Sequence, residues 1–309
     1  MNSILADFKL AFKTGNILNQ LIVINVIGFV VLGVTGVIFT LAGYGNIFAA
    51  ITNYLMVPSD LSQVIFQPWS LITYFFYHQG VFHILFNMLF LYWFGKIIVE
   101  YLGQNKVLGL YVWGGIFGGL LYLLAYNVIP FYQGAVATSY LLGASGGVIA
   151  IVVGAATFMP NYTIPLILLG PVKLKYIAAF YVITSLLRST GVNAGGEIAH
   201  LGGALAGWLF ITQLKKGSDW SRVVVDFVIW MKSLFTPQPK IKVSYRKEKA
   251  TASNSSKASS SAQGSASTKS SSSNASQAEI DSILDKISEK GYDALSKDEK
   301  QKLFNASKD

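Results

Sequence analysis

Four polar residues stand out in an apolar chain: Ser145 in the run GASG, His200 in AHLGGALAG, and His83 with Asn87 in FHILFN. A serine hydroxyl becomes a nucleophile when a histidine takes its proton. Histidine and asparagine side chains can donate hydrogen bonds to an oxygen on which negative charge develops. His83 and Asn87 are four residues apart, so a helix presents them on one face. Ser145 sits among Gly143, Ala144 and Gly146, so its hydroxyl and the local backbone N–H groups can be approached closely. This is the inventory of serine hydrolysis.

Each residue also has a plainer use. Gly143 to Gly147 is a small-xxx-small contact face of the kind that packs membrane helices, as are Gly114 with Gly118 and Gly115 with Gly119. A histidine can bridge helices, and His83 with Asn87 can bind one helix to its neighbours. A metal site lacks the carboxylate or thiolate to complete a shell. His78, near the entrance, reads as an interface or supporting group. Arg188 and Glu197 read as solvated loop charges. With no other acid at the depth of Ser145 and Glu197 a turn above His200, the expectation is a Ser–His dyad without a third member.

What must position these residues is a membrane body. The chain has 309 residues, 52% hydrophobic and 13% charged, against about 25% charged in soluble proteins. Of 24 basic and 15 acidic residues, only nine and four fall within 1–216. The rest crowd a short, water-facing tail. There is no cysteine, which excludes disulfides and thiolate chemistry. No basic patch with interleaved aromatics suggests nucleic acid, and no cofactor is implied.

A span needs about 20 mostly apolar residues. Six are predicted, at 20–43, 81–103, 107–127, 140–159, 174–190 and 197–214. The first residues show no cleavable signal pattern, so 20–43 is expected to remain as a span. The fifth is interrupted by Pro171, Lys173 and Lys175. Lysines at 9, 13, 96, 106, 173, 175, 215 and 216 alternate with loops almost free of them, which predicts cytoplasmic termini. The loop 44–80 has one charge, Asp60, and is expected to lie in the outer interface as an amphipathic hairpin. Spans two, four and six then start outside, and Ser145, His200, His83 and Asn87 lie one to two turns down from that face. Gly203 and Gly207 continue one face below His200, which lets span six approach span four closely.

These residues resemble the rhomboid intramembrane serine proteases, on YHQGVFHILFN at 77–87, GASG at 143–146 and AHLGGALAG at 199–207. The resemblance covers about residues 20–215 and the six-span bacterial form. It implies an all-α, polytopic six-helix bundle in a membrane, with a site open to the extracytoplasmic side. It implies Ser145 as nucleophile, His200 as base, and His83 and Asn87 as an oxyanion hole with the Ser145 amide. It places His78, Gly143 and Gly146 along the site and Glu100 as a cap on span two. Some family members carry a tyrosine four residues after the serine, stacked on the catalytic histidine; here that residue is Ile149. Many also have a Trp-Arg pair in the long loop; here Trp69 and the loop's Tyr and Phe residues must anchor it. The implied function is cleavage of transmembrane segments of membrane proteins near the outer face, in a bacterial plasma membrane. A non-catalytic rhomboid-like protein that binds transmembrane clients is the alternative. A channel is disfavoured, because the polar groups stop in the outer half.

The tail follows from composition. Residues 217–249 read as an interfacial amphipathic helix and a basic stretch, KIKVSYRKEK at 240–249, against anionic lipid. Residues 250–277 are Ser-rich and predict a flexible linker. Residues 278–309 predict a small helical module with capping boxes at Ser276 to Glu279 and Ser296 to Glu299 and a stop at Gly291. Self-association or partner docking is its expected role.

Overall fold

The structure, a computed structural model, describes residues 16–166, 170–235, 277–291 and 294–306. It divides into two compact units near residue 241. In the first, helix α1 is Ile17–Leu41. The following loop folds into α2 (Gly45–Asn53), strand β1 (Val57–Pro58), α3 (Leu61–Phe66), α4 (Ser70–Thr73) and a short 3-10 turn. Helices α5 (Val81–Leu102) and α6 (Gln104–Val128) come next, then α7 (Pro130–Gln133), β2 (Tyr140–Leu141) and α8 (Ser145–Phe158). A hairpin of β3 (Thr163–Leu166) and β4 (Gly170–Lys173) leads to α9 (Leu174–Arg188), α10 (Ala194–Lys215) and α11 (Ser221–Phe235). All six predicted spans are thus helical. Of the predicted cytoplasmic N-terminal segment 1–19, residues 1–15 lie outside the described residues, and α1 already begins at Ile17.

The chain is an all-α, polytopic membrane bundle, with α1, α5 and α6 long and apolar enough to cross a membrane. Along α1, Val31, Val34, Val37 and Ile38 point outward. An apolar stripe of that size suits lipid, not water. One buried polar pin holds α1 to the bundle: Asn25 Nδ2 donates to the Tyr111 hydroxyl at 3.0 Å and to the Leu21 carbonyl at 2.8 Å.

One boundary departs from expectation. The fourth span begins at Ser145, not at 140. Gly143 has φ +105°, and Tyr140–Leu141 pairs antiparallel with Val57–Pro58 instead of turning into helix. At 1.5 Å per residue the 14 residues of α8 span about 21 Å, short of a bilayer core of about 30 Å. The fifth span starts at Leu174, as expected, after the antiparallel pair of Thr163–Leu166 and Gly170–Lys173.

The bundle closes through small residues. A Cβ on Gly203 would collide with the backbone of Gly146, and one on Gly207 with the carbonyl of Ala150. Helices α8 and α10 therefore touch backbone to backbone, as the Gly203/Gly207 spacing predicts. In lipid no hydrophobic drive joins helices, so this close van der Waals contact carries the association. Glu100 does not cap α5; the Gly103 N–H does, bonding to the Val99 carbonyl at 3.0 Å.

Helix α11 belongs to the same unit as the bundle. Lys106 Nζ meets Asp219 at 2.6 Å, Trp113 donates to the Trp220 carbonyl at 3.1 Å, and Gly109 leaves room for Ser221. Its outer side exposes Val223, Phe227 and Trp230, which fits an interfacial helix. The basic stretch, the linker and Ser276 lie outside the described residues. In the second unit α12 (Gln277–Lys290) ends at Gly291 with φ +80°, and α13 (Lys297–Ala306) starts with the predicted box. Ser296 N–H donates to Glu299 at 2.7 Å, and Glu299 N–H to the Ser296 hydroxyl at 3.3 Å.

Candidate active site

Ser145 is the first residue of α8, so it joins a hydroxyl to a helix N-terminus. The N–H groups of the first turn have no acceptor inside the helix, and the helix dipole places positive character there. The chain entering this turn is pinned from the long loop. Gly143 N–H donates to the Tyr74 carbonyl at 2.8 Å, and the Ala144 N–H donates to His78 Nε2 at 3.4 Å. Tyr74 is itself fixed through its hydroxyl to the Gly115 carbonyl at 2.6 Å.

His83 lies two residues into α5, against Gly143. A side chain at 143 would run into its imidazole, so glycine serves both the positive φ and the close approach. Asn87, one turn further along α5, donates one amide hydrogen to the His83 carbonyl at 2.9 Å. Its second amide hydrogen remains for the cavity.

Ser145, His200, His83 and Asn87 all line one cavity of about 760 Å³. Ile149, one turn below Ser145, contributes an apolar wall. Three of the predicted lining residues sit elsewhere. Gly146 packs against the Gly114 and Ala199 carbonyls and faces α6 and α10. Gly143 lies against the Nε2–Cε1 edge of the His83 ring. His78 is buried, stands edge-on to His83 at 5.0 Å between ring centres, and borders a separate cavity beside α1. Burial, and secondarily the neighbouring His83, lowers its pKa to about 4, so it is a neutral support behind the site.

The sequence reading missed Glu197. It is not a solvated charge: it is buried, and its Oε2 stands 3.2 Å from His200 Nδ1. Ser185 Oγ of α9 lies 3.2 Å from the same nitrogen. The other carboxylate oxygen meets Arg188 Nε at 3.2 Å. The expectation of a serine and histidine without a carboxylate neighbour is therefore corrected. The available signal was the three-residue spacing of Glu197 and His200, which puts both on one helix face.

Comparison with known proteins gives the domain. Residues 65–216 match the model of the Rhomboid domain. Over these residues the chain carries a rhomboid domain. RHOMBOID-like protein 12, mitochondrial, from Arabidopsis thaliana is 33% identical over 157 residues, covering 48% of this chain and 47% of its own. Inactive rhomboid-related protein 2 from Caenorhabditis elegans is 36% identical over 160 residues, covering 50% and 43%. Human presenilin-associated rhomboid-like protein, mitochondrial, is 30% identical over 158 residues, covering 49% and 38%. The chain thus spans about half or less of the length of these relatives. Residues 270–309 match a family of unknown function, DUF6576. The rhomboid match holds Ser145, His200, His83 and Asn87, and it leaves α1 outside.

Proposed function

We propose that this rhomboid-domain protein is an intramembrane serine endopeptidase. The observation that carries the reading is the convergence of Ser145, His200, His83 and Asn87 on one cavity. Ser145 Oγ attacks the scissile carbonyl as His200 Nε2 takes its proton. The oxyanion meets the Ser145 N–H and the side chains of His83 and Asn87. The C–N bond breaks and His200 returns the proton to the leaving amine. Water then attacks the acyl ester, giving its proton to His200, and Ser145 is restored. The substrates are membrane proteins whose transmembrane segments contain helix-destabilising residues, so that the strand can unwind into the cavity. The domain boundaries follow: a catalytic body over 20–216, an amphipathic helix with a basic segment over 217–249, a linker over 250–277 and a helical module over 278–309. That module serves self-association or partner docking, and its deletion is expected to change oligomeric state in light scattering.

Ser145→Ala is expected to abolish cleavage of a single-span substrate and labelling by a fluorophosphonate, with the helical spectrum intact. Undiminished cleavage would end the idea. The second reading, a non-catalytic binder of transmembrane clients, draws on the relative named inactive. It predicts client capture equal in wild type and Ser145→Ala, and no labelling of either. We place the protein in a bacterial plasma membrane with both termini cytoplasmic, on the alternation of lysine-bearing and lysine-free loops. Two of the relatives are named mitochondrial, so cell fractionation with protease protection of tagged termini is the test.

A further inference from the structure

Glu197 is a carboxylate in an expensive place. Its side chain is 7% exposed, on the first turn of α10. Taking a carboxylate out of water costs several kcal/mol unless partners compensate. The partners here come from two helices. Ser185 and Arg188 are three residues apart on α9; Glu197 and His200 are three apart on α10. Each pair occupies one face of its helix, and the two faces close on each other. Arg188 reaches in with its Nε while 68% of its side chain stays exposed, so it neutralises the carboxylate from the rim.

The consequence falls on His200. A carboxylate only accepts hydrogen bonds. With Glu197 Oε2 at 3.2 Å, Nδ1 must carry the ring proton. Nε2 is then left with its lone pair, which is the form a general base needs. Ile149 offers no aromatic face or polar atom that could orient the ring, so the orientation has to come from the Nδ1 side. We infer that Glu197, clamped by Arg188 and aided by Ser185, is a positioning residue that fixes the tautomer and direction of the His200 imidazole for proton transfer with Ser145. The inference rests on the hydrolase reading above. The bland rival is a clasp that joins α9 to α10 and does nothing for the ring.

The test uses the full chain in detergent or nanodiscs and reads two quantities. In cleavage assays Glu197→Ala is expected to lower kcat on the order of 10²-fold with KM little changed. Added formate should restore part of the loss by re-occupying the carboxylate site. Arg188→Ala, on a largely exposed side chain, should lose several-fold. In NMR of isotope-labelled histidine, where the chain has only three imidazoles to assign, His200 should hold the Nδ1–H tautomer in wild type and a mixture in Glu197→Ala. Wild-type kcat in Glu197→Ala overturns the inference. So does a loss without formate rescue in which the tautomer is unmoved. If wild type neither cleaves nor labels at Ser145, the hydrolase reading fails, and the tautomer comparison still decides what Glu197 does to the ring.

Discussion

His78 Nε2 accepts the backbone N–H of Ala144 at 3.4 Å, so a residue of the long loop holds the chain one position ahead of Ser145. Both groups are buried. Replacing His78 by Ala would leave the Ala144 N–H without an acceptor, at a cost of about 1–3 kcal/mol. Because the released turn carries the hydroxyl, loss of Ser145 probe labelling should exceed loss of stability. His78→Gln keeps an acceptor and should recover part of both. Equal labelling by wild type and His78→Ala would show that the turn stands without the loop.

The same histidine predicts a pH dependence. Its pKa falls from the ordinary 6.5 to about 4 in the fold, chiefly through burial. The unfolded chain therefore binds a proton that the folded chain refuses. Stability is full above the unfolded value, declines as pH drops from there toward 4, and flattens below. Thermal unfolding in detergent should show a steeper loss between neutral and acid pH for wild type than for His78→Gln, which cannot titrate. Parallel curves would remove His78 as the cause.

How much of this was visible beforehand varies with the range of the interaction. The helices α1, α5 and α6 were legible because long apolar runs have one solution in lipid. The approach of α10 to α8 was legible because Gly203 and Gly207 repeat at helical spacing. The start of α8 was not, because it depends on Val57–Pro58 reaching across more than 80 residues to pair with Tyr140–Leu141. Glu197 was misread for a related reason. Its position beside a loop suggested solvent, while the fold buries it by closing α9 on α10. His78 was legible as a supporting residue from its place at the entrance, but its partner on Ala144 lies 66 residues away.

The contact of α8 with α10 should be the least forgiving in the bundle. Gly203→Ala would press a methyl onto the Gly146 backbone, one residue from Ser145. Backbone cannot rotate out of the way, so a cost of about 1–3 kcal/mol is expected, together with loss of cleavage as Ser145 shifts. Gly33→Ala on α1 meets nothing within 4 Å and serves as the control. Unfolding midpoints and probe labelling of the two variants, side by side, check the contrast. Similar behaviour of both would mean that the two helices are not held by contact at Gly203.

The junction of α11 with α6 turns on Asp219. One of its oxygens takes the Lys106 ammonium at 2.6 Å; the other accepts from the Ser221 N–H at 3.1 Å and from the Ser221 hydroxyl at 2.6 Å. Burial alone would raise the pKa of this carboxyl, but the donors from Lys106 and Ser221 outweigh it and hold it below the ordinary range. Its contribution is therefore present at neutral pH and lost only as pH falls below the ordinary carboxylate range. Asp219→Ala removes a first-turn acceptor and the carboxylate partner of a partly buried lysine, so about 1–2 kcal/mol should go with it. Hydrogen exchange should report the loss locally, faster in 221–235 and unchanged in α8. Lys106→Met leaves the two bonds from Ser221 to Asp219 intact and should cost less. If Asp219→Ala instead accelerated exchange across α8, the amphipathic helix would be a support of the active site and not an appendage of α6.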